Sequence, residues 1–162
     1  MMNEQHKKVM FDLRKMEASV PKMVTEMGAI AHTQFTMSFN NQGFTDEHLE
    51  KWKPRKRQAY RTRGGKLVDD TTRGILIGKG TGNLRKLRRV PIGRYSVEIR
   101  SNAATKDYAR VHNEGLRSGR GSGFTMPKRQ FAGYSGVMDR KIRKMVFVNF
   151  KKAFYSEQNR PV

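Results

Sequence analysis

The chain has 162 residues and carries 34 Lys and Arg against 14 Asp and Glu, a formal charge of +20. That length suits one domain, and charge of that size makes polyanions the natural partners: nucleic acid first, then an acidic protein surface or an anionic membrane. The lack of cysteine excludes disulfides, thiolate zinc sites and cysteine nucleophiles, and no run approaches the roughly 18 apolar residues of a membrane span.

The opening "MMNEQHKKVMFDLRKM" is charged throughout and does not read as a signal peptide. Val9, Leu13, Met16, Val20, Met23, Met27, Ile30 and Gln34 are spaced 4, 3, 4, 3, 4, 3, 4, a helical seam. Pro21 removes one helical hydrogen bond and clashes with the preceding turn, a cost of about 3 kcal/mol. Ser19 is placed to cap a new helix with Pro21 in its first turn. Two helices are therefore expected, about 4–18 and 20–39, separated or kinked, and residues 1–19 form a candidate separate element. The seam packs on its own sheet or on a neighbouring subunit. The second alternative suits a chain whose hydrophobic fraction is only 36%, against the roughly 45–50% (glycine included) of ordinary domains.

Gly43 is expected to end this helix in a turn with positive φ. Thr45, Asp46 and Glu47 resemble a helix start, with acids near the positive end of the dipole. Leu49 and Trp52 share a face, and the helix stops before Pro54. From Lys53 to Lys66 follows a basic loop without an acid, ending in Gly64-Gly65. "GILIG" at 74–78 is short, apolar and bounded by glycine. "TGNLRKLRRVPIGRYSVEIRS" reads as a helical turn or strand, a turn near Pro91–Gly93, then a strand in which Tyr95, Val97 and Ile99 alternate with polar residues. Lys106 to Asn113 is a short helix ended by Gly115. Residues 116–125 are a loop or flexible hairpin, 137–154 a second long helix, and 155–162 a frayed tail.

Little in this order suggests catalysis. Histidines 6, 32, 48 and 112 are far apart, and a zinc site normally shows close paired ligands. Asp69-Asp70 sits in a polar turn with its side chains diverging. "GKGTG" at 78–82 lacks the order of a phosphate-binding loop. No enzyme activity, metal or cofactor is expected. The loop residues Lys53, Arg55, Lys56, Arg57, Arg61, Arg63 and Lys66 are the candidates for neutralising phosphates, an affinity blind to base sequence; Tyr60 offers one stacking ring. The same loop also suits docking to an acidic protein, or plain solvation.

The richest stretch is Tyr108 to Tyr134, "YARVHNEGLRSGRGSGFTMPKRQFAGY". It resembles the "YA-x-x-H-x-x-G … MP-x-R-x-F-x-G" core of the phage virion-morphogenesis family, the tail-completion (neck) proteins of the phage Mu G type. Earlier blocks are similar in layout: a helix ending "FTMSFNNQGF", "WKP" at Trp52, Lys53 and Pro54, and "LIGKGTGNLRKL" with Gly82 and Leu84 in the family's places. The likeness covers about residues 24–154. "HNEG" stands where "HQFG" is commoner, and Gln130 where proline is usual.

The resemblance implies an α+β fold in which a long N-terminal helix and a C-terminal helix pack on a small antiparallel β-sheet, with long basic loops at 53–66 and 116–125. It implies a closed ring, commonly a hexamer, that joins the tail tube to the head connector in the virion. The ring is assembled in the host bacterial cytoplasm, without a membrane, and phage DNA passes through its lumen. Its partners are then further copies of itself, head-connector or adaptor proteins, and tail-tube or tail-terminator proteins. Trp52, Tyr108, His112, Met126, Pro127, Arg129 and Phe131 become candidate interface residues or loop anchors. The competing expectation is a small basic RNA- or DNA-binding protein without base readout.

Overall fold

The computed structural model describes residues 4–55, 60–68, 74–77, 83–102 and 105–155. The expectations for Lys56 and Arg57, Asp69-Asp70, the 78–82 loop and the tail beyond Tyr155 fall outside those residues. The fold is α+β, with long N- and C-terminal helices and short antiparallel strands between them.

Helix α1 runs unbroken from Glu4 to Asn41, 38 residues, so the two helices expected on either side of Pro21 are one. Ser19 does not cap a new helix. Its hydroxyl donates to Met16 O at 2.7 Å, inside the turn that proline disturbs, and Thr25 Oγ1 donates to Pro21 O at 3.0 Å. Tertiary packing offsets the proline penalty: Met23, two residues on, is buried, and Glu26 meets the C-terminal helix. Gly28 brings a strand close to α1; a Cβ there would lie 2.9 Å from the Val97 methyls.

Gln42 ends α1, with φ 51, in the left-handed conformation expected of Gly43. Gly43 instead opens β1 (Gly43–Thr45), which pairs antiparallel with β2 (Leu49–Lys51). This hairpin replaces the helix expected over residues 45–53. The acids do sit at a helix N-terminus, but not their own. The C-terminal helix, α3, spans Gly136–Tyr155. Gly136 N–H donates to Asp46 Oδ1 at 2.6 Å and Val137 N–H to Asp46 O at 3.3 Å. Met138 N–H donates to Ser135 Oγ at 3.2 Å and Asp139 N–H to Ser135 O at 2.9 Å. The last is the first intrahelical bond; the amides of Gly136, Val137 and Met138, three that a helix start leaves without intrahelical partners, are satisfied by Asp46 and the Ser135 hydroxyl.

The remaining strands pair two by two: β3 (Tyr60–Arg61) with β4 (Leu67–Val68), β5 (Arg88–Pro91) with β6 (Val97–Arg100), and β7 (Arg117–Ser118) with β8 (Phe124–Thr125). The first of these hairpins lies at the end of the basic loop, and the last gives structure to 116–125. Along β6, Val97 and Ile99 are half-buried while Glu98 and Arg100 are exposed, as the alternation predicts; Tyr95 lies in the preceding bend and is exposed. Residues 74–77 form a turn, with Ile77 N–H on Gly74 O at 3.4 Å. A single 3-10 turn, Asn83–Arg85, buries Leu84. Helix α2, Lys106–Glu114, ends on Gly115 at φ 73. The buried core is Phe39, Trp52, Leu84, Leu87, Ala109 and Phe131.

Candidate functional site

The residues singled out between 108 and 131 meet Trp52 in one node. Helical spacing turns Ala109 and His112 of α2 inward, and both are buried. Gly115 then reverses the chain in the left-handed region. A Cβ there would lie 3.0 Å from the Lys128 backbone nitrogen, so glycine serves both the conformation and the close approach. After the β7–β8 hairpin the chain returns across the end of α2. Met126 N–H donates to Leu116 O at 3.0 Å, and Arg129 N–H to His112 O at 2.7 Å. The amides of Phe131 and Ala132 both donate to Asn113 Oδ1 at 3.0 Å.

Trp52 enters from the β1–β2 hairpin. Its backbone N–H is held by Gln42 O at 2.8 Å, and its indole Nε1 donates to Gln130 O at 2.6 Å. The Phe39 ring stands edge-on to Trp52 at 5.7 Å and tilted on Phe131 at 5.1 Å, geometries that add to plain burial. Arg129, one of the candidate loop anchors, reaches Lys53 O through Nε at 3.2 Å. Trp52, His112, Arg129 and Phe131 are thus assembled. Met126 and Pro127 are half-buried at the rim, and Tyr108, half-exposed, lays its ring 4.2 Å from His112.

Two cationic or titratable groups are shut into this apolar node. Burial, reinforced by the Arg129 guanidinium, pushes the His112 imidazole down from 6.5 to about 4. Its Nδ1 is buried without a hydrogen-bond partner. Burial also lowers Arg129, opposed by Tyr108 and assisted by Arg55; arginine nevertheless keeps its charge. Among the described residues no carboxylate forms an ion pair with Arg129. The node is therefore built to position backbone and rings, with a neutral histidine at physiological pH.

The described basic candidates differ in exposure. Lys53, Arg61, Arg63 and Lys66 are exposed, and Arg55 is half-buried. Arg61 Nη1 turns back onto Gly65 O at 3.2 Å, within its own hairpin. Gln42, Asp46, Asn113 and Ser135 were not singled out as site residues, although each fixes a junction. Asp46 alone left a signal, read as the start of the wrong helix. Among the described residues no cluster of three or more His, Cys, Asp or Glu is arranged to hold a metal, and no helix is long and apolar enough to cross a membrane. Comparison with protein-family models, curated proteins and solved structures finds no match.

Proposed function

We propose that this chain is a structural virion protein of a tailed bacteriophage, a neck or tail-completion subunit. In this reading it forms a closed ring, a hexamer, that joins the tail tube to the head connector around the DNA channel, and it catalyses no reaction. One observation carries the reading. The blocks on which the family resemblance rests each place a residue in the same buried cluster: Phe39 from the helix end, Trp52, Leu84, Ala109 and Phe131. Motifs scattered over some ninety positions belong to one structural unit, as the parts of a family core must. Ring closure asks for head-to-tail contacts related by rotation. The exposed Tyr108, Phe124 and Tyr134 around the 116–125 hairpin offer apolar surface for them.

A second reading, a small basic nucleic-acid-binding protein, draws on the charge of +20 but gives no reason for the 108–134 order. Electron cryo-microscopy of the tailed particle decides between them. The expected result is density for this chain, repeated around the axis, between head and tail. A particle whose head–tail junction is fully accounted for by other chains would overturn the assignment.

A further inference from the structure

A second concentration of positive charge lies away from the node, between the two long helices. Lys22 of α1 and Lys141, Lys144 and Lys152 of α3 line a groove of about 420 Å³. All four are exposed, and none is in an ion pair among the described residues. Positions 141, 144 and 152 follow one face of α3 and span about 16 Å at a rise of 1.5 Å per residue. The floor is Met145 and Val148. Glu26, the acid in the lining, accepts from Asn149 Nδ2 at 2.9 Å, which ties its carboxylate to the floor.

We propose that this lysine groove, rather than the 53–66 loop, is the surface that tracks duplex DNA, and that it does so through phosphate contacts alone. Double-stranded DNA presents a charge about every 1.7 Å of its axis, so a lysine face of this length meets several phosphates. Lysine ammonium groups on flexible stems are point charges and lack the planar fork that fixes one bidentate geometry. They suit a backbone that must slide. Among the described residues no lining side chain is aromatic, which leaves out the stacking platform typical of single-strand binders. In the loop, Arg55 is half-buried and engaged within the chain and Arg61 bonds its own turn, whereas all four groove lysines are exposed. The inference rests on the channel reading for its place in the particle, but not for its measurement.

The test uses the purified full-length chain and a labelled duplex, with affinity measured across a salt series. The variant Lys22→Gln, Lys141→Gln, Lys144→Gln, Lys152→Gln is compared with a charge-matched loop variant, Lys53→Gln, Arg61→Gln, Arg63→Gln, Lys66→Gln. The slope of log affinity against log salt is expected to fall by about one per groove lysine removed, and by clearly less in the loop variant. Replacing the four lysines with arginine is expected to preserve the wild-type slope, which separates charge from folding. Equal slopes in the groove and loop variants would overturn the proposal, as would loss confined to the loop or displacement of the duplex by polyglutamate at equal charge. A chain that shows this groove-dependent binding yet is missing from the head–tail junction sinks the neck reading and leaves the groove standing. A chain found at the junction that binds without the groove does the reverse.

Discussion

The aromatic node and the lysine groove are built on opposite rules. In the node, three polar side chains are tied to backbone atoms: the Trp52 indole to Gln130 O, Arg129 Nε to Lys53 O, and the Asn113 amide oxygen to two successive amides. Each tie fixes a residue type at a position, so the arrangement leaves its trace as an order of residues. In the groove, positive charge and helical register suffice. That arrangement leaves its trace as composition. The +20 charge of the chain favours polyanions in general without saying where one would sit; the 108–134 motif marks a place without naming a partner.

The largest effect that tests this contrast is truncation of the node. Trp52 is 6% exposed and stacked edge-on against Phe39. Trp52→Ala is expected to lower unfolding free energy by about 3–5 kcal/mol, measured by denaturant titration. That is a large part of the roughly 5–15 kcal/mol available to a domain. Phe124, an aromatic of the same motif stretch but 57% exposed in the β7–β8 hairpin, should change stability by no more than about 0.5 kcal/mol when cut to alanine. If the two truncations cost the same, the node is not the structural centre of the fold.

The next effect is acid sensitivity. The folded chain holds His112 near 4 against an ordinary 6.5, so between those values the unfolded chain binds the proton that the folded chain refuses. Stability from this group is therefore complete above about pH 6.5 and is lost as pH falls toward 4, a difference of about 3 kcal/mol. Carboxylates titrate near the lower end of the same window. The informative quantity is thus the difference between the wild type and His112→Gln at pH 7 and at pH 4.5. The wild-type stability is expected to fall more steeply. Parallel pH profiles would show that His112 is not shut away from water.

Much of the node was legible because its constraints are local. Gly115 had to end a helix, His112 and Ala109 had to share its inner face, and the alternation of Val97 and Ile99 had to face a core. What escaped was fixed at a distance. Asp46 and Glu47 obeyed the rule that acids favour helix N-termini, but the helix they serve begins ninety positions later. That distant role draws 45–51 into a hairpin. Pro21 obeyed the rule that proline breaks helices until contacts with β6 and α3 outweighed it. The groove was illegible for the same reason: Lys22 and Lys141 become neighbours only once α1 and α3 pack. Leu84 stood out only as a motif position, and Phe39 and Leu87 read as ordinary apolar positions, for want of a local sign that their partner was Trp52.

The smallest effects lie where node and surface join, at the start of α3. Asp46 contributes there through both a hydrogen bond and a negative charge. Asp46→Ala, which removes both, is expected to cost about 1 kcal/mol. Asp46→Asn keeps an acceptor for the Gly136 amide and loses only the charge–dipole part, about 0.3–1 kcal/mol at low salt. Arg140 pairs with Glu47 at 2.7 Å beside this cap, but both side chains are more than half exposed, so Arg140→Gln should cost less than about 0.5 kcal/mol and nothing measurable in high salt. Thermal unfolding of the three variants at low and high ionic strength separates these contributions. The alanine variant should keep most of its deficit in salt, because a missing acceptor is not a screened interaction. If its deficit vanished with the others, the link between the β1–β2 hairpin and α3 would be electrostatic, and the junction would belong with the charged surface and not with the node.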